Sequence, residues 1–155
     1  MPSRSAGILA FRKTNGRIEV LLVHPGGPFW RNKDLGAWSI PKGEYGADEI
    51  PEDVARREFH EELGIEFTQA VIPLGDIKQP GGKTVTAFAA EADLDVSNIA
   101  SNHFEIEWPP RSGQRREFPE VDRAEWFDLA AARARINKGQ AELLDRLVTK
   151  IAQLG

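Results

Sequence analysis

The chain has 155 residues, a formal net charge of −4 at pH 7 and no cysteine. This length suits one hydrophobic core, so we expect a single domain over residues 1–155. The absence of cysteine excludes a disulfide scaffold, a thiolate zinc site, an iron–sulfur cluster and a cysteine nucleophile, and the acidic balance argues against non-specific nucleic-acid binding.

Targeting and membrane signals are missing from the sequence. No apolar run approaches the roughly 20 residues that a membrane-spanning helix needs. The apolar stretch at residues 7–11 ends at Arg12 and is too short for the core of a signal peptide. We therefore expect a cytoplasmic protein without a membrane partner.

The first elements in chain order form a predicted hairpin. Apolar, β-branched runs at residues 5–11 and 18–24 flank a turn signal at Asn15-Gly16, which is typical of two paired strands in a buried sheet. A loop rich in proline and glycine follows at residues 25–28. Residues 38–40 then predict a brief strand.

A helix is predicted next, over residues 51–63. Proline suits the first position of a helix, and Pro51 stands there, followed by the acidic residues Glu52 and Asp53 that suit the positive end of the helix dipole. Gly64 suits the left-handed residue that ends a helix.

The second half of the chain contains further strand and helix patterns. Apolar alternation and turn signals predict the strands, and regularly spaced leucines predict the last helix. Strands are expected over 69–77, over 84–92, over 103–108 and in a piece ending at Trp126-Phe127, and helices over 130–136 and 139–154. Strands on both sides of a central helix indicate an α/β fold with a mixed sheet between helices.

Three glutamates share one side of the predicted helix. On a helical wheel Glu58, Glu61 and Glu62 fall within about 100° of arc, beside the apolar stripe that must face the core. Like charges at these spacings repel each other, and a divalent cation would offset that cost. Carboxylates without cysteine favour Mg²⁺ or Mn²⁺, while a solvated acidic face is the alternative that these residues alone leave open.

The glutamates belong to a longer pattern. Nine positions match at fixed spacing: Gly43, Glu49, Arg57, Glu58, Phe59, Glu61, Glu62, Gly64 and Ile65. Segment 43–65 thereby resembles the Nudix box of the Nudix hydrolases. The resemblance implies that family's α/β/α sandwich, in which a mixed β-sheet lies between helices. It also implies hydrolysis of a phosphoanhydride bond in a nucleoside diphosphate derivative, with Mg²⁺ (or Mn²⁺) as cofactor.

The resemblance also implies a metal-binding set. Glu58, Glu61 and Glu62 would be the metal ligands, and the carbonyl of Gly43 a further one. Arg57 would support catalysis by bracing these glutamates through ion pairs.

A general base is the remaining catalytic requirement. Glu61 is one candidate for the residue that takes a proton from the attacking water. Glu120 is another, since it stands six residues before Trp126 in the way that a glutamate outside the box does in many family members. It is equally a candidate for a further metal ligand or for an ordinary surface residue.

Candidate substrate contacts are cations and one aromatic residue. Lys42, Arg31 and Arg116 carry charges that suit phosphate oxygens, and Trp38 offers a ring for stacking on a base. Each has a plainer interpretation, as a solvated charge or a core side chain. The approach to the box, residues 36–43, is similar to that of Nudix hydrolases of diadenosine polyphosphates and diphosphoinositol phosphates, which favours a long phosphate chain.

These features predict a small phosphoanhydride substrate, with a dinucleoside polyphosphate or a nucleoside triphosphate as the first choice. Nucleotide sugars, diphosphoinositol phosphates and the 5′ end of RNA are alternatives. A non-catalytic nucleotide sensor with the same fold is a different class of function, although the intact set of glutamates argues against it. The sequence leaves the assembly as a monomer or a homodimer.

Overall fold

A computed structural model describes residues 3–154. This part of the chain alternates strands and helices. The strands are β1 (Arg4–Thr14), β2 (Arg17–Pro25), β3 (Lys42–Glu44), β4 (Ile72–Lys78), β5 (Thr84–Glu91), β6 (His103–Glu107), β7 (Arg115–Pro119) and β8 (Val121–Asp128). The helices are α1 (Pro51–Leu63), α2 (Leu129–Arg135) and α3 (Glu142–Leu154).

The main sheet is mixed. Its strands run in the order β4-β5-β1-β2-β8, and β3 pairs with the start of β1. Strands β1 and β5 are parallel, whereas the other neighbouring pairs are antiparallel. Strands β6 and β7 form a separate antiparallel pair. The predicted mixed sheet is therefore confirmed.

Helices cover both faces of this sheet because its strands are apolar on both sides. Along β1, Ile8 and Ala10 pack into the core beneath α1, whereas Leu9 and Phe11 pack into the core beneath α2 and α3. A strand that is buried on both faces has this nearly continuous apolar sequence. The arrangement confirms the predicted α/β/α sandwich.

The hairpin turn and the helix limits predicted for the first half of the chain are confirmed. Asn15 (φ 52°) and Gly16 (φ 78°) both have positive φ, as a two-residue hairpin turn between β1 and β2 requires. Helix α1 begins at Pro51 and ends at Leu63, and Gly64 takes the left-handed conformation (φ 74°) while its N–H donates to the His60 carbonyl at 2.7 Å.

Several predicted boundaries are wrong. Of residues 38–40, Trp38 and Ser39 form isolated bridges, and the next strand, β3, begins at Lys42. Strand β7 was not predicted, because the charged residues that open it lie on an exposed ribbon and give no apolar alternation. Helix α3 begins at Glu142 because a 3₁₀ turn, Lys138–Gln140, precedes it. Among residues 3–154, no helix combines the length and apolar character that crossing a bilayer requires.

Gly64→Ala should lower the stability of the fold. A side chain in the left-handed region costs about 1–2 kcal/mol, and a Cβ at Gly64 would also lie 2.9–3.2 Å from atoms of Ala100. Gly16→Ala is the matched control, because Gly16 has a similar φ but open space around it. In urea unfolding we expect both variants to be destabilised, and Gly64→Ala more strongly. Equal or smaller losses for Gly64→Ala would contradict the packing at the end of α1.

Candidate active site

Helix α1 presents its acidic side to strand β3. Glu62 is only 6% exposed, and its Oε2 accepts a hydrogen bond from the Lys42 N–H at 3.1 Å. A Cβ at Gly43 would overlap the carboxylate of Glu58, so only glycine lets β3 and α1 approach this closely. The residues predicted as metal ligands on α1 and β3 are thus in contact.

Arg57 lies among the acidic residues of the box. Its Nη1 donates to Glu49 at 2.7 Å, and its Nε lies 3.6 Å from Glu58 and 4.0 Å from Glu61. Glu49 also accepts a hydrogen bond from the Gly46 N–H at 2.9 Å, so both ends of the loop before α1 are tied to Arg57. This is the geometry that the predicted bracing role requires.

Burial and mutual repulsion leave two of the carboxylates poorly stabilised as anions. Burial raises the pKa of Glu62 to about 9, and the charge of Glu58 adds to the rise. Burial likewise raises the pKa of Glu58 to about 7, with Glu61 contributing. A nearby positive charge would reverse both shifts, because it favours the ionised form.

Glu120 joins this group from the other side of the site. It lies between β7 and β8, where its N–H donates to the Asn102 carbonyl and its own carbonyl accepts from the Gly26 N–H. Asn102 in turn donates its N–H to the Glu61 carbonyl at 2.8 Å. Burial raises the pKa of Glu120, and the charge of Glu61 raises it further. The glutamate predicted from outside the box therefore lies close enough to α1 to sense its charge.

A cavity of about 150 Å³ opens between these elements. It is lined by Val23, Pro25, Ser39, Ile40, Lys42, Glu62, Glu120 and Val121. We call it the carboxylate cavity. Burial lowers the pKa of Lys42, against the effect of nearby Glu62. The cavity thus brings together one lysine and two glutamates, the residue types that a site for a phosphate group and a cation would need.

The other predicted substrate contacts lie elsewhere. Trp38 is a core residue, 1% exposed, whose indole N–H donates to Asp34 at 2.7 Å, so the predicted stacking on a base is wrong. Arg31 lines a second cavity that shares no lining residue with the carboxylate cavity. Arg116 lies on β7, opposite Ile106, and is exposed. Of the four residues, only Lys42 reaches the carboxylates.

Gln140 is a residue of the site that the sequence did not indicate. It is 1% exposed, its Oε1 accepts from the Ile40 N–H at 3.1 Å and its Nε2 donates to Ser39 Oγ at 3.0 Å. These bonds fix one wall of the carboxylate cavity from the far side of the sheet. No local pattern could have revealed them, since the partners lie about 100 residues apart.

The chemistry of the donors fits a hard cation. The groups that converge offer carboxylate and carbonyl oxygen, and burial together with like charge raises the pKa of Glu58 and Glu62, against the effect of nearby Arg57 and Lys42. Within residues 3–154, no three acidic or histidine side chains close around a point as a complete ligand cage. Mg²⁺ suits such an open set, because it usually keeps several waters and binds substrate phosphates as well.

Comparison with known proteins decides the family. The family model of the NUDIX domain matches residues 1–147. The chain belongs to the Nudix family. An RNA pyrophosphohydrolase of Bartonella henselae is 28% identical, with 81% of this chain and 76% of that protein covered. The predicted membership is confirmed, and this Nudix protein is a hydrolase of phosphoanhydride bonds.

Solved structures agree on the fold. The C. elegans Ap4A hydrolase in a binary complex superimposes with a TM-score of 0.67 at 22% identity, covering 97% of this chain and 98% of that one. The NUDIX domain of Shewanella oneidensis NrtR, complexed with ADP ribose, gives a TM-score of 0.69 at 16% identity, covering 97% and 89%. At these identities the likeness shows the Nudix fold of this chain and does not identify its substrate.

Gly43→Ala should disable the site of this Nudix hydrolase. The added methyl group must displace Glu58 or strand β3, and even small displacements of catalytic groups reduce turnover by about 100-fold. We expect Mg²⁺ affinity in calorimetric titration and turnover to fall together. Gly46→Ala is the control, because the nearest atom to a Cβ there is a side-chain oxygen of Asp48 at 3.3 Å. Wild-type Mg²⁺ affinity in Gly43→Ala would contradict the contact with Glu58.

The metal-free protein should lose stability as the pH rises. The folded chain holds protons on Glu58 and Glu62 that the unfolded chain releases above its ordinary pKa of 4.5, so stability falls between that pH and about 9. Thermal unfolding in EDTA should show this decline, and excess Mg²⁺ should reduce it. A melting temperature that rises across the same interval in EDTA would refute the burial of these acids.

Proposed function

We propose that this Nudix hydrolase is a Mg²⁺-dependent pyrophosphohydrolase that cleaves a phosphoanhydride bond of a nucleotide by attack of water on phosphorus. A dinucleoside polyphosphate or a nucleoside triphosphate is the first choice of substrate. The observation that carries the proposal is the convergence of Glu58, Glu61, Glu62 and Glu120 beside Gly43 and Lys42, where burial and like charge raise the pKa of three of these acids.

Glu58, Glu61 and Glu62 would hold the cation, with the Gly43 carbonyl as a further ligand. Mg²⁺ or Mn²⁺ bound there supplies charge neutralisation for the phosphate groups and lowers the pKa of a coordinated water. Arg57 keeps Glu58 and Glu61 in place through its contacts at 3.6 and 4.0 Å, and Glu49 holds the other end of the guanidinium.

The remaining steps fall to residues around the cavity. Lys42 lines the cavity with Glu62 and Glu120, and its positive charge would attract the phosphate oxygens of a substrate. A general base must take the proton of the attacking water. Glu120 suits this role, since burial raises its pKa and its backbone is fixed to Gly26 and Asn102. Glu61 is the alternative base on α1.

The 5′ end of RNA is a second candidate substrate. The relative from Bartonella henselae that is 28% identical over 81% of this chain is named RNA pyrophosphohydrolase. A triphosphorylated RNA end presents the same phosphoanhydride bond as a nucleoside triphosphate. The same site would serve either substrate, so comparative turnover must separate them.

Glu62→Gln should abolish Mg²⁺-dependent turnover without unfolding the protein. Glutamine keeps the shape of the side chain and can still accept the Lys42 N–H bond, but it removes the negative charge that would bind the cation. The assay measures phosphate or pyrophosphate release from diadenosine tetraphosphate, ATP, ADP-ribose, a diphosphoinositol phosphate and a 5′-triphosphorylated RNA. Glu66→Gln, an exposed acid beyond the helix, is the control and should keep full activity.

Two results would contradict this proposal. Turnover by Glu62→Gln at the wild-type rate would show that the reaction does not require the Glu62 carboxylate. Tight binding of one of these compounds by the wild-type protein, with no cleavage in Mg²⁺ or Mn²⁺, would favour the nucleotide-sensor interpretation.

Glu120→Gln and Glu61→Gln should separate the base from the metal ligands. If Glu120 is the base, its replacement lowers kcat by about 10²- to 10⁴-fold and leaves Mg²⁺ affinity unchanged. In that case Glu61 is a metal ligand, so Glu61→Gln should lower both kcat and Mg²⁺ affinity. The measurements are kcat as a function of pH and calorimetric Mg²⁺ titration. Weaker Mg²⁺ binding by Glu120→Gln would make Glu120 a ligand and leave Glu61 as the base.

A further inference from the structure

A second cavity is lined by Trp38, the neighbour in the chain of Ser39, which lines the carboxylate cavity. It has a volume of about 350 Å³ and borders the edge strand β8. Four cationic side chains line it, Arg31, Lys33, Arg123 and Arg135, against the carboxylates of Asp34 and Glu125. We call it the basic cleft. The proposed mechanism uses none of these six residues.

The loop that forms one wall of the basic cleft is held by specific bonds. The buried His24 contacts the Lys33 carbonyl through Nε2 at 2.6 Å and Asp122 through Nδ1 at 2.8 Å. Asp34 accepts the Trp38 indole N–H at 2.7 Å. The Gly36 N–H donates to Ala134, which ties the loop to α2. A wall fixed in this way needs little ordering when an anion binds, so less binding energy is lost.

The arginines are also held in position. The guanidinium of Arg123 lies 5.1 Å from the Trp38 ring centroid, and that of Arg135 lies 5.3 Å from the Phe127 ring centroid. Stacking on a ring leaves the N–H edge of a guanidinium available for oxygen acceptors. Such edges suit phosphate, which accepts two parallel hydrogen bonds from one arginine.

The ion pairs at the cleft leave a surplus of positive charge. Arg135 lies 3.4 Å from Asp34, and Arg123 lies 3.9 Å from Asp122. Arg31 and Lys33 have no carboxylate partner within the described part of the chain. A protein whose overall charge is −4 thus concentrates cations at this one edge of the sheet, which favours an anionic ligand.

We propose that the basic cleft is a second binding site, specific for a phosphate group, next to the carboxylate cavity. Trp38 lines the cleft and the following residue, Ser39, lines the carboxylate cavity, while Arg123 stands three residues beyond Glu120. The phosphate belongs either to a distant part of the substrate or to a free phosphate ion. The first source rests on the proposed function, and the second does not.

Binding of tripolyphosphate in EDTA tests the site without any turnover. Calorimetry compares the wild-type protein with Lys33→Gln/Arg123→Gln. Arg133→Gln is the matched control, because Arg133 and Arg123 have side chains 50% and 51% exposed and each lies near an aspartate. A lost charged hydrogen bond corresponds to about tenfold in affinity. We expect at least this loss in the double variant, wild-type affinity in the control, and a shift of the Trp38 indole N–H resonance when tripolyphosphate binds.

Kinetics then separate the two sources of phosphate. If the phosphate belongs to the substrate, the double variant should raise KM for diadenosine tetraphosphate more than for ATP. If the cleft binds a free phosphate ion, the double variant should keep its KM values and lose any response of the rate to inorganic phosphate. The site is refuted if the double variant binds tripolyphosphate as the wild-type protein does, or if Arg133→Gln is weakened equally. An inactive wild-type protein would refute the proposed function and leave the binding titration valid.

Discussion

Burial of like-charged carboxylates is the constraint on which the site depends. The fold places Glu58 and Glu62 where burial and their neighbours raise their pKa to about 7 and about 9. Such an arrangement costs stability unless a cation or protons offset the charge. The contacts between α1 and its neighbouring segments hold these carboxylates together, and we call these contacts the frame of the site. Holding these groups together therefore lowers the stability of the metal-free protein at neutral pH.

The frame joins distant parts of the chain. Gly43 lets β3 lie against Glu58, the Asn102 backbone links Glu61 to Glu120, and Gln140 holds the segment before Lys42 from the opposite face of the sheet. Helix α1 is fixed at both ends, by Pro51 and by Gly64. Because each contact joins two elements, the carboxylate cavity depends on the whole α/β/α sandwich, and its residues reach their positions only in the folded chain.

Local chemistry explains which features could be predicted from the sequence. The Asn15-Gly16 turn, the limits of α1 and the acidic side of that helix each depend on residues close together in the chain, and the structure confirms them. Features that depend on distant partners could not be predicted in this way. Gln140 meets Ile40 across about 100 residues, and β7 pairs with β6 through exposed charged residues. The sequence suggests that Trp38 stacks on a substrate base, yet Trp38 is buried and its indole N–H donates to Asp34, a partner that spacing alone does not identify.

Proton release on Mg²⁺ binding reports whether the buried carboxylates hold the cation. Because Glu58 and Glu62 hold protons in the metal-free fold, a cation that binds them at pH 7 must displace protons. Calorimetric titration of the metal-free protein with Mg²⁺, in buffers of different ionisation enthalpy, measures that release. We expect saturable binding with net proton release at pH 7, which diminishes toward pH 9 and above as the carboxylates ionise before the metal arrives. Saturable binding without proton release at pH 7, or no binding at all, would contradict this role of the carboxylates.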